Sequence, residues 1–132
     1  MSHPYHHSVS SAKRYGGKAE DYLDIHSWFD ASKEMYADFR HRALRHHTQG
    51  IFEAERVFGV TITNSAGKEI PTRLIGEQHC IEDCGFIPTV EDWLSRIEPE
   101  RWMNSPVKLS KILDNKVESM LVSVDTLSGE KA

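Results

Sequence analysis

Apolar residues recur at helical spacing along most of the chain. The longest such run is Ser32 to Phe58. Met35, Tyr36, Phe39, Ala43, Leu44, His47, Ile51, Ala54 and Phe58 fall on one stripe there. Ser32 can cap its start and Gly59 ends it, so the pattern predicts one long helix. Gly50 weakens its middle by roughly 1 kcal/mol relative to alanine. That glycine marks a kink or a close approach by another backbone. Two shorter helices are predicted ahead of it. Pro4 to Tyr15 has a proline in its first turn and is stopped by Gly16-Gly17. Ala19 to Phe29 carries Tyr22, Leu23, Ile25, Trp28 and Phe29 and must be largely buried.

The period changes to two at Val60-Thr61-Ile62-Thr63, which reads as a strand. Asn64 to Gly67 is a turn, and Ile70 to Ile75 is the returning strand, confined to an edge by Pro71. Gly76 to Cys84 reads as a short helix ended by Gly85. Thr89 with Asp92 forms a capping box for a helix holding Val90, Trp93, Leu94 and Ile97. Ser105-Pro106 opens an amphipathic helix to about Val124, with Leu109, Ile112, Leu113, Val117, Met120, Leu121 and Val124 on one side. The predicted fold is therefore α+β and mostly helical. It has a central long helix, four or five shorter helices and one β-hairpin. Residues 1–127 form a single globular domain and 128–132 a frayed tail. The C-terminal stripe packs on its own domain or against a second copy, and a homodimer through this helix is the preferred expectation.

The chain has 132 residues, 39% of them hydrophobic, which is enough for one core and excludes wholesale disorder. No stretch approaches the ~18 apolar residues of a membrane-spanning helix. The N-terminal residues lack the apolar region of a signal peptide, so the expected location is the cytoplasm. The net charge of −4 makes nucleic acid an unlikely partner. The charge is unevenly placed: residues 1–50 carry 7 Lys/Arg and 6 Asp/Glu, against 9 and 14 in residues 51–132.

Seven of the eight histidines lie in those first 50 residues. They are His3, His6, His7, His26, His41, His46 and His47, and His79 follows later. On the predicted long helix, His47 and Arg40 fall within the buried stripe, with His41 and His46 on either side of it. Buried imidazoles need partners, because an unpaired buried polar group costs a few kcal/mol. Those partners must come from other elements, with His6, His7, His26, Asp30, Glu77 and His79 as candidates. At least three histidines are expected to converge. Two outcomes are open. One is a divalent transition-metal site (zinc, iron or nickel) drawn from His6, His7, His26, His41, His47 and His79, with a carboxylate such as Asp38 or Glu77 behind a ligand. The other is a hydrogen-bonded polar core with surface histidines.

Two further groups carry weaker signals. Cys80 and Cys84 with His79 could ligate zinc, but cysteines four apart on a helix read more simply as small buried hydrophobes. Arg40, Arg42, Arg45 and His46, with Lys13 and Arg14, could bind phosphate, or could form a solvated face.

Several blocks resemble a family of small uncharacterised proteins found in bacteria and tailed phages. They are Ser2-His3-Pro4-Tyr5-His6-His7 with Ser10-Ser11-Ala12, Ile25-His26-x-Trp28-Phe29-Asp30, and Asp38-x-Arg40-His41-Arg42-Ala43-Leu44-Arg45-His46-His47-x-x-Gly50. Leu74-Ile75-Gly76-Glu77-Gln78-His79 and Ile87-Pro88-Thr89-x-x-Asp92-Trp93-Leu94 complete the set. The resemblance covers about residues 1 to 103 and leaves out the helix after Ser105. It implies a bacterial cell or a phage-infected host, and no known activity. Two classes of function stand side by side. One is a metal-binding protein, including a metal-dependent hydrolase. The other is a non-enzymatic accessory protein that binds a host protein or a phosphorylated small ligand.

Overall fold

A computed structural model describes residues 3–106, 110 and 113–121. The chain divides into two compact units, Met1–Ile97 and Glu98–Ala132. The first unit holds α1 (Pro4–Tyr15), α2 (Glu20–Asp30), α3 (Thr48–Phe58), strands β1 (Thr61–Thr63) and β2 (Glu69–Pro71), α4 (Thr72–Cys84) and α5 (Val90–Leu94). Two 3-10 turns, Ala31–Glu34 and Phe39–Leu44, lie between α2 and α3. The mostly helical α+β class with one hairpin is thus as the periodicity predicts.

Short-range chemistry sets the ends of these elements. His3 caps α1 through its ring, whose Nδ1 accepts from Tyr5 N–H at 3.1 Å. Gly16 closes α1 at φ 87°. The capping box at Thr89 and Asp92 is formed. In the hairpin, Thr61 pairs with Pro71, Ile62 with Ile70 and Thr63 with Glu69. Asn64 Oδ1 holds the turn by accepting from Ala66 and Lys68 N–H at 3.0 and 2.9 Å. The second strand is shorter than predicted. Pro71 has no N–H to donate to a longer ladder, and the chain turns there into α4, so Thr72 to Ile75 are helical.

The predicted long helix over Ser32 to Phe58 is not formed as one piece. Asp38 adopts an extended backbone, and its carboxylate accepts from Arg40 N–H at 2.8 Å, starting a new turn. His47 is extended as well, and its Nδ1 caps α3 by accepting from Gly50 N–H at 3.0 Å. Two local caps therefore break the helix twice, and one stripe cannot run through both breaks. Met35, Tyr36, Phe39 and Leu44 are exposed, and Arg40 pairs with Asp38 at the surface instead of lying on a buried face. His41 and His46 turn inward and are buried. Gly50 marks a close approach: a Cβ there would stand 1.8 Å from the Arg45 carbonyl oxygen.

Tyr22, Ile25, Phe29, Ile51, Ala54, Ile70, Ile75 and Cys80 form the apolar core. α1 packs mainly on α2, and α4 packs on α3 and α2. Gly76 lets α4 come close, since a Cβ would meet Phe29 at 3.0 Å and Ile51 at 3.2 Å. Beside this core, on the same side of α4, lies a polar one.

In the second unit, Arg101–Asn104 forms a 3-10 turn and residues 113–121 are helical. Leu113, Val117, Met120 and Leu121 are exposed. Leu109, Ile112, Val124 and the tail 128–132 lie outside the described residues. No described helix is long and apolar enough to cross a membrane.

Candidate metal centre

Two helices carry the same pair of residues at the same spacing: His26 and Asp30 on α2, and His79 and Asp83 on α4. Four residues is about one helical turn, so each pair shares a face. The two faces meet in the polar core. α1 adds His7, and the turn-rich segment before α3 adds His41 and His46. Five histidines converge in this way. Asp30 is 7% exposed, and none of the five histidines exceeds 1%.

The hydrogen bonds settle where the ring protons lie. The Gln78 amide nitrogen donates to the His7 carbonyl and to Glu82, both at 3.0 Å, so its oxygen faces Ser11. The Ser11 hydroxyl donates to that oxygen at 2.8 Å. Ser11 must then accept from His26 Nε2–H, also at 2.8 Å. His26 Nδ1 is left as a lone pair facing His79 Nδ1 at 2.9 Å, so His79 donates there. A neutral His79 consequently presents the lone pair of Nε2 to the middle of the cluster. Burial, with His79 and His7 beside it, pushes the His26 pKa down to about 2, which keeps His26 itself neutral. Similar logic applies to two other rings. His41 Nδ1–H donates to the Asp38 carbonyl at 2.7 Å and turns Nε2 toward Asp30 Oδ1 at 3.5 Å. His7 Nδ1–H donates to Glu82 at 2.7 Å. Its Nε2 stands 3.2 Å from Asp83 Oδ1 but is too poorly aligned for a hydrogen bond.

Four donor atoms make five short contacts. His46 Nε2 lies 3.0 Å from His79 Nε2, 3.0 Å from Asp83 Oδ2 and 3.3 Å from Asp30 Oδ1. His79 Nε2 lies 3.2 Å from each of the same two oxygens. With neutral imidazoles, these five contacts have one proton to share, on His46. Ligands about 2.0–2.1 Å from an ion stand about 3.3–3.4 Å apart at tetrahedral angles and about 2.9 Å apart at right angles. The five observed spacings fall between these values.

Charge points the same way. Burial alone would raise the carboxyl pKa of Asp30 and Asp83, yet the imidazoles that face them, His46 first, hold both well below the usual range. Burial would likewise lower His46 and His7, but their carboxylate partners outweigh it and raise both. Two buried negative charges are balanced by protons on imidazoles, a role that a divalent cation can take over. Three buried polar atoms of the cluster, His7 Nε2, Asp30 Oδ2 and His46 Nδ1, have no hydrogen-bond partner. Three groups of these residues have donor atoms close enough to hold a metal ion: His7, His26 and His79; His7, Asp30, His79 and Asp83; and Asp30, His41 and His46.

Of the residues singled out from sequence, His7, His26, His41 and His79 are brought together here. His6 lies exposed beside His3. His47 is buried, but it commits Nδ1 to the cap of α3 and Nε2–H to the Leu44 carbonyl at 3.2 Å. Sequence reasoning left His46 out of its candidate ligand set and overlooked Asp83. The repeated His-x-x-x-Asp spacing on two amphipathic helices was the signal that could have found Asp83. The thiols stand apart: burial pushes Cys80 up to about 12 and raises Cys84. The arginines are engaged within the fold. Arg42 donates to the Asp83 carbonyl at 3.1 Å, and Arg45 stacks on Trp28 at 4.0 Å.

No curated protein and no solved structure matches the chain. A family model described as a domain of unknown function, DUF6915, matches residues 2–103.

Proposed function

The chain belongs to this family of unknown function, and from its own geometry we propose that it is a divalent transition-metal protein built around Asp30, His46, His79 and Asp83. One observation carries the reading. Two carboxylate oxygens and two imidazole nitrogens lie 3.0–3.3 Å apart in five pairs, with a single ring proton to share. Imidazole and carboxylate together suit zinc, iron or nickel, and no thiolate takes part. The outer groups support it too. Glu82, the Asp38 carbonyl and His26 each hold the far nitrogen of a cluster histidine, as groups behind metal ligands do.

Metal-dependent hydrolysis is the reaction class that such a ligand set serves, because a bound ion lowers the pKa of its water toward ~7. The phage or prophage setting implied by the sequence blocks belongs to this reading. An accessory role in binding a phosphorylated ligand has less behind it, since Arg42 and Arg45 are already occupied. The deciding experiment is metal analysis of protein purified without an affinity tag, and again after loading and exhaustive dialysis. Zinc, iron or nickel near stoichiometry is expected. A metal-free chain after loading would overturn the proposal. Turnover of an activated phosphodiester by the loaded protein, lost in Asp83→Asn, then separates a hydrolase from a protein that only holds its ion.

A further inference from the structure

We propose that the centre takes two ions, with Asp30 bridging them; this rests on the metal reading above. One ion at the crowded quartet would leave two imidazoles unused. His7 Nε2 would still face Asp83 Oδ1 at 3.2 Å, and His41 Nε2 would still face Asp30 Oδ1 at 3.5 Å, each with its other nitrogen fixed as a donor. Four imidazole nitrogens and four carboxylate oxygens are more donors than one transition ion accepts, which is four to about six.

The donors fall into two groups with one residue in common. His7, His79, Asp83 and Asp30 form one, and His41, His46 and Asp30 form the other, with the donor atoms of each group within 4.8 Å of one another. Each ion then has two imidazoles, drawn from α1 and α4 for the first and from the segment before α3 for the second, so that the quartet spans both ions and its His46–His79 contact lies between them. Asp30 suits the bridge. Its Oδ1 lies within 3.2–3.5 Å of His79, His46 and His41, and its Oδ2 is buried with no hydrogen-bond partner. Two ions bridged by a carboxylate sit about 3.5–4 Å apart in two-metal sites, close enough for their unpaired electrons to couple.

The test uses the full chain loaded with manganese(II). Metal analysis is expected to give two ions per chain, and electron paramagnetic resonance a spin-coupled pair rather than an isolated ion. His41→Gln should lower the count to one and convert the spectrum to that of a single ion. One ion per chain in the unaltered protein, or two without coupling, would overturn the inference while leaving the metal reading intact. No bound metal would remove both. Should His41→Gln fail to fold by circular dichroism, the spectrum of the unaltered protein still decides.

Discussion

Gly50 and His47 show how single positions direct this fold. A Cβ at Gly50 would fall on the Arg45 carbonyl, which is backbone and cannot move aside as a side-chain tip can. Gly50→Ala should therefore destabilise the protein by about 1–3 kcal/mol, the usual cost of forced repacking. A lower urea midpoint would show this, and an unchanged one would refute the close approach. His47→Ala removes the cap of α3 and should cost about 0.5–2 kcal/mol. Because both nitrogens of His47 serve the local backbone, metal content should stay unchanged in that variant. A loss of metal in a folded His47→Ala protein would show that the ring reaches the centre.

α2 and α4 are amphipathic in two senses. Each buries an apolar stripe, with Ile25 and Phe29 on one and Ile75 and Cys80 on the other, and each buries a His-x-x-x-Asp pair beside it. The apolar contact brings the helices together, and the polar pairs are carried into the same interior. Groups at the edge of the cluster hold its rings in place. Glu82→Gln weakens the acceptor behind His7 and should lower metal affinity by about 10–100-fold with little loss of fold. Titration with a chromophoric chelator measures it, and an unchanged affinity would show that His7 is not a ligand.

At the scale of the whole molecule, the stability gained from the ion should depend on pH. In the metal-free chain, Asp30 and Asp83 titrate below the ordinary 3.8, so their contribution is complete above that value and is lost as pH falls through the lowered ones. His7 and His46 titrate above 6.5, so their contribution is complete below 6.5 and is lost as pH rises through the raised values. His26 and His47, held below 6.5 by burial, work the other way and lose their contribution as pH falls through 6.5. The comparison that isolates His7 and His46 is the gain on adding metal, which should be larger at about pH 8.5, where fewer protons compete for those rings, than at about pH 5.5. Metal replaces those ring protons, so the loaded protein should keep its stability on the alkaline side. An ion present at 100 times its dissociation constant adds about 2.7 kcal/mol. Thermal melts at the two pH values, with and without chelator, decide this. Identical curves would mean that no ion balances the buried carboxylates.

Much of the fold was legible because its signals are local. The helices Pro4–Tyr15 and Glu20–Asp30, the Thr89 capping box and the hairpin turn all follow from residues within a few positions of each other. The histidine enrichment likewise announced a polar core. Which rings enter that core was decided only by tertiary structure. The side chains of Asp38 and His47 cap backbone at the two places where the hydrophobic period seemed to run on, and each cap reset the direction of every side chain after it. That is why His46 lies in the centre and His47 beside it serves a helix end. The contacts that define the site, such as Asp30 to His79 and His7 to Asp83, join positions 49 and 76 residues apart. No local pattern encodes such distances; they exist only once α1, α2 and α4 have packed their apolar faces.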